Sequence, residues 1–291
     1  MLYNMKNKKW VFILEEYING KNFDDYLMNR KNYKNIKELI FYGGCIFHML
    51  KYLTKRRICH RDIKPRNMMI GSDGYLKLLD FGCAKKIKFF SKTVVGTPNY
   101  ISPEVLKGLE YSFSSDYWST GVCCYLIYFG NLPFGNKTNN VMQIYKEIIK
   151  GEIKIPKDCP LIVKELIEGL LKRNAGERIN NFDKIKECQI FKDFDWDNLL
   201  RKKIKPFFLP FGDELGGKAN LNNLASPFEK FIQNEWVETS EMHLLRIKNK
   251  NKNINYIQEQ YESEFINNQE DQKYYDEENN VEFSNHWFDY F

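Results

Sequence analysis

The chain has 291 residues and a net charge of +6, with 43% hydrophobic and 28% charged residues. That is enough to bury a core as one large domain or two small ones, in proportions ordinary for a globular protein. The basic residues are spread along the chain, which gives nucleic-acid binding no support, and no apolar run approaches the roughly 20 residues that span a bilayer. The seven cysteines form no CxxC pair, and the short apolar run Trp10 to Leu14 lacks the length and cleavage site of a signal peptide. Reduced thiols and a cytoplasmic location are therefore expected.

Residues 10–17, WVFILEEY, read as one buried strand, and Asn19-Gly20 then turns the chain. From Asn35 to Arg56 the residues Ile36, Leu39, Ile40, Ile46, Leu50 and Leu53 recur at helical spacing, which predicts a long helix. Gly43-Gly44 inside it reads as a close-packing site. Short pieces follow: HRDIKPRN, a strand-like MMI, the turn Ser72-Asp73-Gly74 and a strand from Tyr75 to Leu79. A loop runs from Asp80 to about Glu104. Ser114 or Ser115 is placed to cap a helix reaching Phe129. Val141, Ile144, Tyr145, Ile148 and Ile149 mark an amphipathic helix ending at Gly151, and Leu161 to Leu171 a third. Past Pro210 the chain loses clear periodicity, and from Gln258 it is acidic and rich in Asn and Gln, which favours disorder. Gly212 to Lys218 spells G-x-x-x-x-G-K, but Ala219 stands where a phosphate loop needs Ser or Thr.

Three blocks occur in a telling order: His60-Arg61-Asp62-Ile63-Lys64-Pro65-Arg66-Asn67, then Asp80-Phe81-Gly82 thirteen residues later, then Gly96-Thr97-Pro98-Asn99-Tyr100-Ile101-Ser102-Pro103-Glu104. Asp116-Tyr117-Trp118-Ser119-Thr120-Gly121 and a late Arg178 follow. Each block alone is weak; together they resemble a eukaryotic Ser/Thr protein kinase over residues 10 to about 205.

The resemblance implies an α+β protein-kinase-like fold, mainly a helical C-lobe with short β-hairpins. It implies that ATP and Mg²⁺ are bound and that the γ-phosphate passes to a protein substrate. Asp62 would accept the proton of the substrate hydroxyl, and Lys64 would sit beside the transferred phosphate. Asn67 and Asp80 would hold Mg²⁺, a cation that takes a few hard oxygen ligands and completes its shell with water and phosphate. Glu16 and Ile18, at the hinge between lobes, would contact the nucleotide. Arg61 would pair with a phosphorylated activation-loop residue, for which Thr93 holds the matching place and Ser91 lies nearby. Thr97 would hydrogen-bond Asp62 and Lys64 and order the substrate-docking loop. Asp116 would hold the catalytic-loop backbone, Glu104 and Arg178 would form a buried ion pair, and His60 would pack as scaffold. Cys83 reads as a small packed residue, with thiol reactivity the alternative.

Finer resemblance points to the AGC group. Residues 194–200, FDWDNLL, with Lys205-Pro206-Phe207-Phe208-Leu209-Pro210, resemble that group's exit from the catalytic domain. Residues 141–151, VMQIYKEIIKG, are similar to cyclic-nucleotide-dependent kinases, the cGMP-dependent ones especially. The implied organisation is a catalytic domain over 1–205, an AGC-like tail over 206–245 and a polar, acidic tail over 246–291. Either Phe228-x-x-Phe231 or Phe288-x-x-Phe291 could serve as the tail's aromatic docking motif.

Three departures stand out. No glycine-rich GxGxxG loop, strand lysine or partner glutamate precedes residue 10, so the N-lobe is expected to be almost entirely missing, through either fragmentation of a longer protein or natural truncation. A truncated chain could serve instead as a pseudokinase-like binding module. Glu15 falls where the back of the adenine pocket is usually apolar, and a carboxylate there is costly to bury. Asn22, Arg66 and Leu126 take the places of the acidic residues with which AGC kinases read substrate arginines, with Asp24 and Asp25 close by in sequence.

Overall fold

The computed structural model describes residues 3–6, 11–14 and 16–211. Strands β1 (Tyr3–Lys6) and β2 (Val11–Leu14) pair antiparallel, with Tyr3 opposite Leu14. This corrects the single strand expected over 10–17. The strand is confined to Val11–Leu14, and another precedes it. A four-residue Tyr-Asn-Met-Lys is too short to announce a period of two, so β1 becomes visible only through its ladder. Glu15, the carboxylate expected near the adenine pocket, lies outside the described residues.

The chain continues through β3 (Gly20–Asn22), α1 (Phe23–Asn29), α2 (Ile36–Lys55) and β4 (Ile58–Cys59). A one-turn 3-10 helix, Pro65–Asn67, leads into the hairpin of β5 (Met68–Gly71) and β6 (Leu76–Leu78), and β7 (Lys85–Lys86) follows. The helices α3 (Pro103–Leu106), α4 (Ser114–Phe129), α5 (Val141–Lys150), α6 (Leu161–Leu170), α7 (Phe182–Glu187) and α8 (Trp196–Leu200) complete the described chain. β5 is the middle strand of β3-β5-β6, and β4 pairs with β7. No helix among the described residues is long and apolar enough to cross a membrane.

Helix starts follow a repeated chemistry. Asn22, Asn35, Asn140 and Asn181 each accept backbone N–H bonds as N-caps, satisfying donors that have no partner within the first turn. α3, α4 and α6 start without a side-chain cap, and α4 is preceded by Phe113, which offers none. Ser114 already lies within the helix, and the Ser115 hydroxyl donates to Ser112 O at 2.9 Å, so neither serine caps it as expected.

The core sits between α2, α4 and α6. α4 is buried on every side from Ser115 to Tyr128, the signature of a central helix. Leu39, Ile46, Phe47 and Leu50 from α2 and Val163, Leu166 and Leu170 from α6 enclose it. Within α2, a Cβ on Gly44 would stand 2.9 Å from the Phe194 ring, whereas one on Gly43 would find ordinary contacts near 3.7 Å. The close-packing position is therefore Gly44. A buried ion pair at 2.5 Å between Arg30 and Glu38 ties the end of α1 to α2, and the Tyr26 hydroxyl donates to the same carboxylate at 2.8 Å. Beyond α8 the chain returns over the β5–β6 turn: Tyr75 donates to Ile204 O at 2.5 Å, and the Phe208 ring packs 4.8 Å from that of Tyr26. The glycine-lysine segment 212–218 and both aromatic tail motifs lie outside the described residues.

Candidate active site

The site is built around one carboxylate. Asp62 is 8% exposed in the middle of the segment joining β4 to the 3-10 helix. Lys64 Nζ donates to its Oδ2 at 2.7 Å, and Asn67 Nδ2 donates to the same oxygen at 2.9 Å. Thr97, reached from 35 residues along the chain, donates to Oδ1 twice, through its N–H at 3.1 Å and its hydroxyl at 2.8 Å. Lys64 Nζ is also 2.6 Å from Thr97 Oγ1, which closes the ring of contacts. Burial alone would raise the Asp62 carboxyl. Hydrogen bonds from Lys64, Thr97 and Asn67, with the Lys64 charge, outweigh it and hold the group below its usual value.

Thr97 reaches Asp62 because the chain can pass close by. Gly96 has φ +119°, and a Cβ there would lie 2.8 Å from Arg61 O. Only glycine combines that backbone with that approach.

Asn67 spends both amide protons on Asp62, one on the main-chain oxygen and one on the carboxylate, each at 2.9 Å. Its Oδ1 is left as the atom able to meet a cation. Leu79 N–H donates to Asn67 O at 2.8 Å, which ties the residue before Asp80 to the main chain of Asn67. Asp80 is exposed, has a left-handed backbone (φ +56°), and accepts from Gly82 N–H at 3.0 Å through one carboxylate oxygen. Among the described residues no three His, Cys, Asp or Glu side chains converge. An amide oxygen plus one carboxylate suits Mg²⁺, which leaves most of its shell to water and phosphate oxygens.

A second carboxylate supports the first from below. Asp116 in α4 accepts from His60 N–H and Arg61 N–H, each at 2.8 Å. Those bonds hold Arg61 at φ +67°, a region costly for a non-glycine residue. Burial pushes the Asp116 carboxyl up, and the two N–H donors pull it back. His60 is fully buried, with Nε2 3.2 Å from Leu79 O and the Phe81 ring edge-on at 5.0 Å. Burial lowers its imidazole pKa, so it sits neutral in its packing place.

Glu104 in α3 and Arg178, in the loop after α6, meet in a fork, Nη1 to Oε1 at 2.7 Å and Nη2 to Oε2 at 2.8 Å. Arg178 also donates to Lys172 O and Ser114 O and lies over the Trp118 ring at 5.1 Å.

Other residues named from sequence fall as follows. Glu16 turns its side chain to Lys77 Nζ at 2.9 Å, and Ile18 is half-buried nearby. Arg61 donates to Cys83 O at 2.5 Å and to the Tyr111 hydroxyl at 3.3 Å, while the Thr93 side chain is exposed. Cys83 is half-buried, and all seven cysteines are free. Asn22 is consumed in capping α1 and in donating to Arg66 O at 3.0 Å. The Arg66 side chain is 79% exposed, with Asp24 at 3.9 Å, and Leu126 is buried in α4. Two contributors escaped sequence reasoning. Tyr111 bridges Arg61 to the Thr93 main chain, and Asn99 anchors the loop after Thr97 to Phe134 O at 3.1 Å. Neither carries a local signal, because each acts on a partner distant in sequence.

Such a gathering of His-Arg-Asp, Asp-Phe-Gly and Gly-Thr-Pro blocks over a helical core defines a protein kinase. The protein kinase domain family matches residues 1–191, and the chain belongs to that family. It is a protein kinase domain with predominantly helical content and small sheets. The chain is 38% identical over 206 residues to the cGMP-dependent protein kinase of Plasmodium berghei (strain Anka) and 36% over 213 residues to that of Eimeria tenella. Those matches take in 69% and 72% of this chain but only 24% and 21% of the relatives' own length. Against the human cAMP-dependent protein kinase catalytic subunit PRKX it is 31% identical over 240 residues, 81% of this chain and 64% of the relative. Its relatives thus fall among the AGC kinases.

Proposed function

We infer that residues 1–205 are the catalytic domain of a protein serine/threonine kinase, hinge strand and C-lobe, which moves the γ-phosphate of ATP to a hydroxyl of a protein. One observation carries the reading: a single carboxylate gathers Lys64, Asn67 and Thr97 from two segments of chain. A packing motif has no chemical need for that arrangement, whereas phosphoryl transfer needs a placed nucleophile and charge neutralisation.

In this reading Asp62 accepts the proton of the incoming hydroxyl, and Thr97 fixes the carboxylate's orientation. Lys64 presents a point charge towards the transferred phosphate. Asn67 Oδ1 and the Asp80 carboxylate would hold Mg²⁺, which when bound would neutralise phosphate charge. Because the Glu16 side chain is taken by Lys77, the hinge residues Glu16 and Ile18 meet the nucleotide through their main chain. Asp116, His60, Glu104 and Arg178 are scaffold. Thr93 is a phosphorylation site, and Asn22, Arg66 and Leu126 remove the usual preference for substrate arginine. Residues 206–245 and 246–291 are read as an AGC-like tail and a polar extension.

A glycine-rich loop and a strand lysine, which cover the phosphates in resembling kinases, are not recognisable among the 291 residues. Full turnover is therefore expected to need those elements, supplied by an adjoining segment or in trans. The test is calorimetric titration of the full chain with Mg-ATP, with and without an added kinase N-lobe, beside an assay of transfer to a generic protein substrate. Metal-dependent nucleotide binding that disappears in Asp80→Ala is the expected result. Its absence in both arrangements would overturn the reading.

A further inference from the structure

Arg61 is the residue that the kinase resemblance pairs with a phosphate on Thr93, and two of its guanidinium nitrogens are held by the protein itself. Nε donates to Cys83 O at 2.5 Å and Nη1 to the Tyr111 hydroxyl at 3.3 Å. That hydroxyl donates in turn to Thr93 O at 2.7 Å. Tyr111 is 3% exposed, so its hydroxyl works where water competes little. Around it the activation segment is zipped to the chain before α4. Ser91 and Tyr111 exchange backbone hydrogen bonds of 2.9 and 3.0 Å. Lys92 pairs with Glu110 at 3.3 Å, and Lys85 Nζ reaches Ser91 Oγ at 3.5 Å. The cavity beside Arg61, lined by Val95, Ser102, Tyr111 and Ser119 among others, measures about 10 Å³. That is room for at most one water.

We propose that Tyr111 is a positioning residue for phosphoryl transfer, its hydroxyl coupling Arg61 to the Thr93 main chain and so holding the segment that carries Thr97 at Asp62. This rests on the kinase reading of the site.

The test is hydrogen exchange on the full, phosphatase-treated chain, its unmodified Thr93 verified by mass spectrometry. Wild type should protect the Ser91 and Tyr111 amides. Tyr111→Phe, which removes one oxygen and keeps the ring, should speed exchange across 91–97 roughly tenfold, the effect of one lost charge-assisted hydrogen bond. Exchange in α2 and α4 should stay unchanged and reports whether the variant is folded. Thr93→Val should exchange like wild type, because only its main chain is used. Arg61→Met should loosen the same segment, and the double variant with Tyr111→Phe should be no looser than the worse single, as expected for two members of one contact. Wild-type exchange in Tyr111→Phe, additive effects in the double variant, or an unprotected segment in the unphosphorylated wild type would each overturn the proposal. Transfer activity is not the readout. No metal-dependent nucleotide binding with or without an added kinase N-lobe, beside the expected exchange pattern, would therefore count against the kinase reading and leave the docking intact. An active chain with an indifferent Tyr111 would do the reverse.

Discussion

Two carboxylate–cation pairs lie within the same helical body and are built to opposite ends. Glu104 and Arg178 form a two-pronged pair in which the arginine is 0% exposed and also satisfies the main-chain oxygens of Lys172 and Ser114. Asp62 and Lys64 form a single-pronged pair whose lysine is 17% exposed and shares its ammonium with Thr97. The first spends a rigid, fully committed guanidinium on joining α3 to the loop after α6. The second uses a flexible ammonium that can turn towards an incoming group. Rigidity follows from how many donors the protein itself consumes. A structural pair leaves none over, whereas a reactive pair keeps some accessible.

The comparison breaks most sharply at Asp62. Asp62→Asn should cut turnover of the completed enzyme by about 10²–10⁴-fold, the usual worth of a general base, while Mg-ATP binding by calorimetry is retained. Normal turnover in that variant would show that the carboxylate is not the base. On the structural side, Glu104→Ala strands Arg178 in the interior. It should destabilise the fold by about 3–5 kcal/mol in chemical denaturation, the range for breaking a buried ion pair. A loss below about 1 kcal/mol, the worth of an exposed pair, would mean that the two pairs do not differ as described.

The smallest change sharpens the reactive side. Thr97→Val keeps the β-branched shape and removes the hydroxyl shared by Asp62 and Lys64. Transfer should fall roughly tenfold. The pH profile should move as well. Asp62 is held below its usual value, so in the parent enzyme the base stays ionised down through the ordinary carboxylate range near about 3.9. Stability from this group is present above that ordinary value and is lost as pH falls through the lower folded one. Without the Thr97 hydroxyl the carboxyl rises, so the acid limb of transfer should shift to higher pH. An unmoved limb would assign it to another group.

Read against the structure, helices with a strong period were legible. α2 runs Ile36–Lys55 from its Asn35 cap, and α5 runs Val141–Lys150 to Gly151. The short elements were not. β1 has no pattern of its own, and α4 begins without the serine cap its sequence offers. At the site, the motif blocks named Asp62, Asn67, Asp80 and Thr97 as candidates but carried no distances. Tyr111, and the contact that Asn99 makes from within the third block, were invisible because no local pattern marks a side chain whose partner is a main-chain oxygen far along the chain.

The sequence by itself determined the periodic helices and the order of the three motif blocks. Those depend on residue type and spacing, which interactions within a few residues can read. Only the tertiary structure decided that Thr97 closes on Asp62 across 35 residues, that Arg178 finds Glu104 across 74, and that Arg61 is met by Tyr111. Contacts of that reach are chosen by packing of the whole core, through close approaches such as Gly96 against Arg61 O, which no local window of sequence contains.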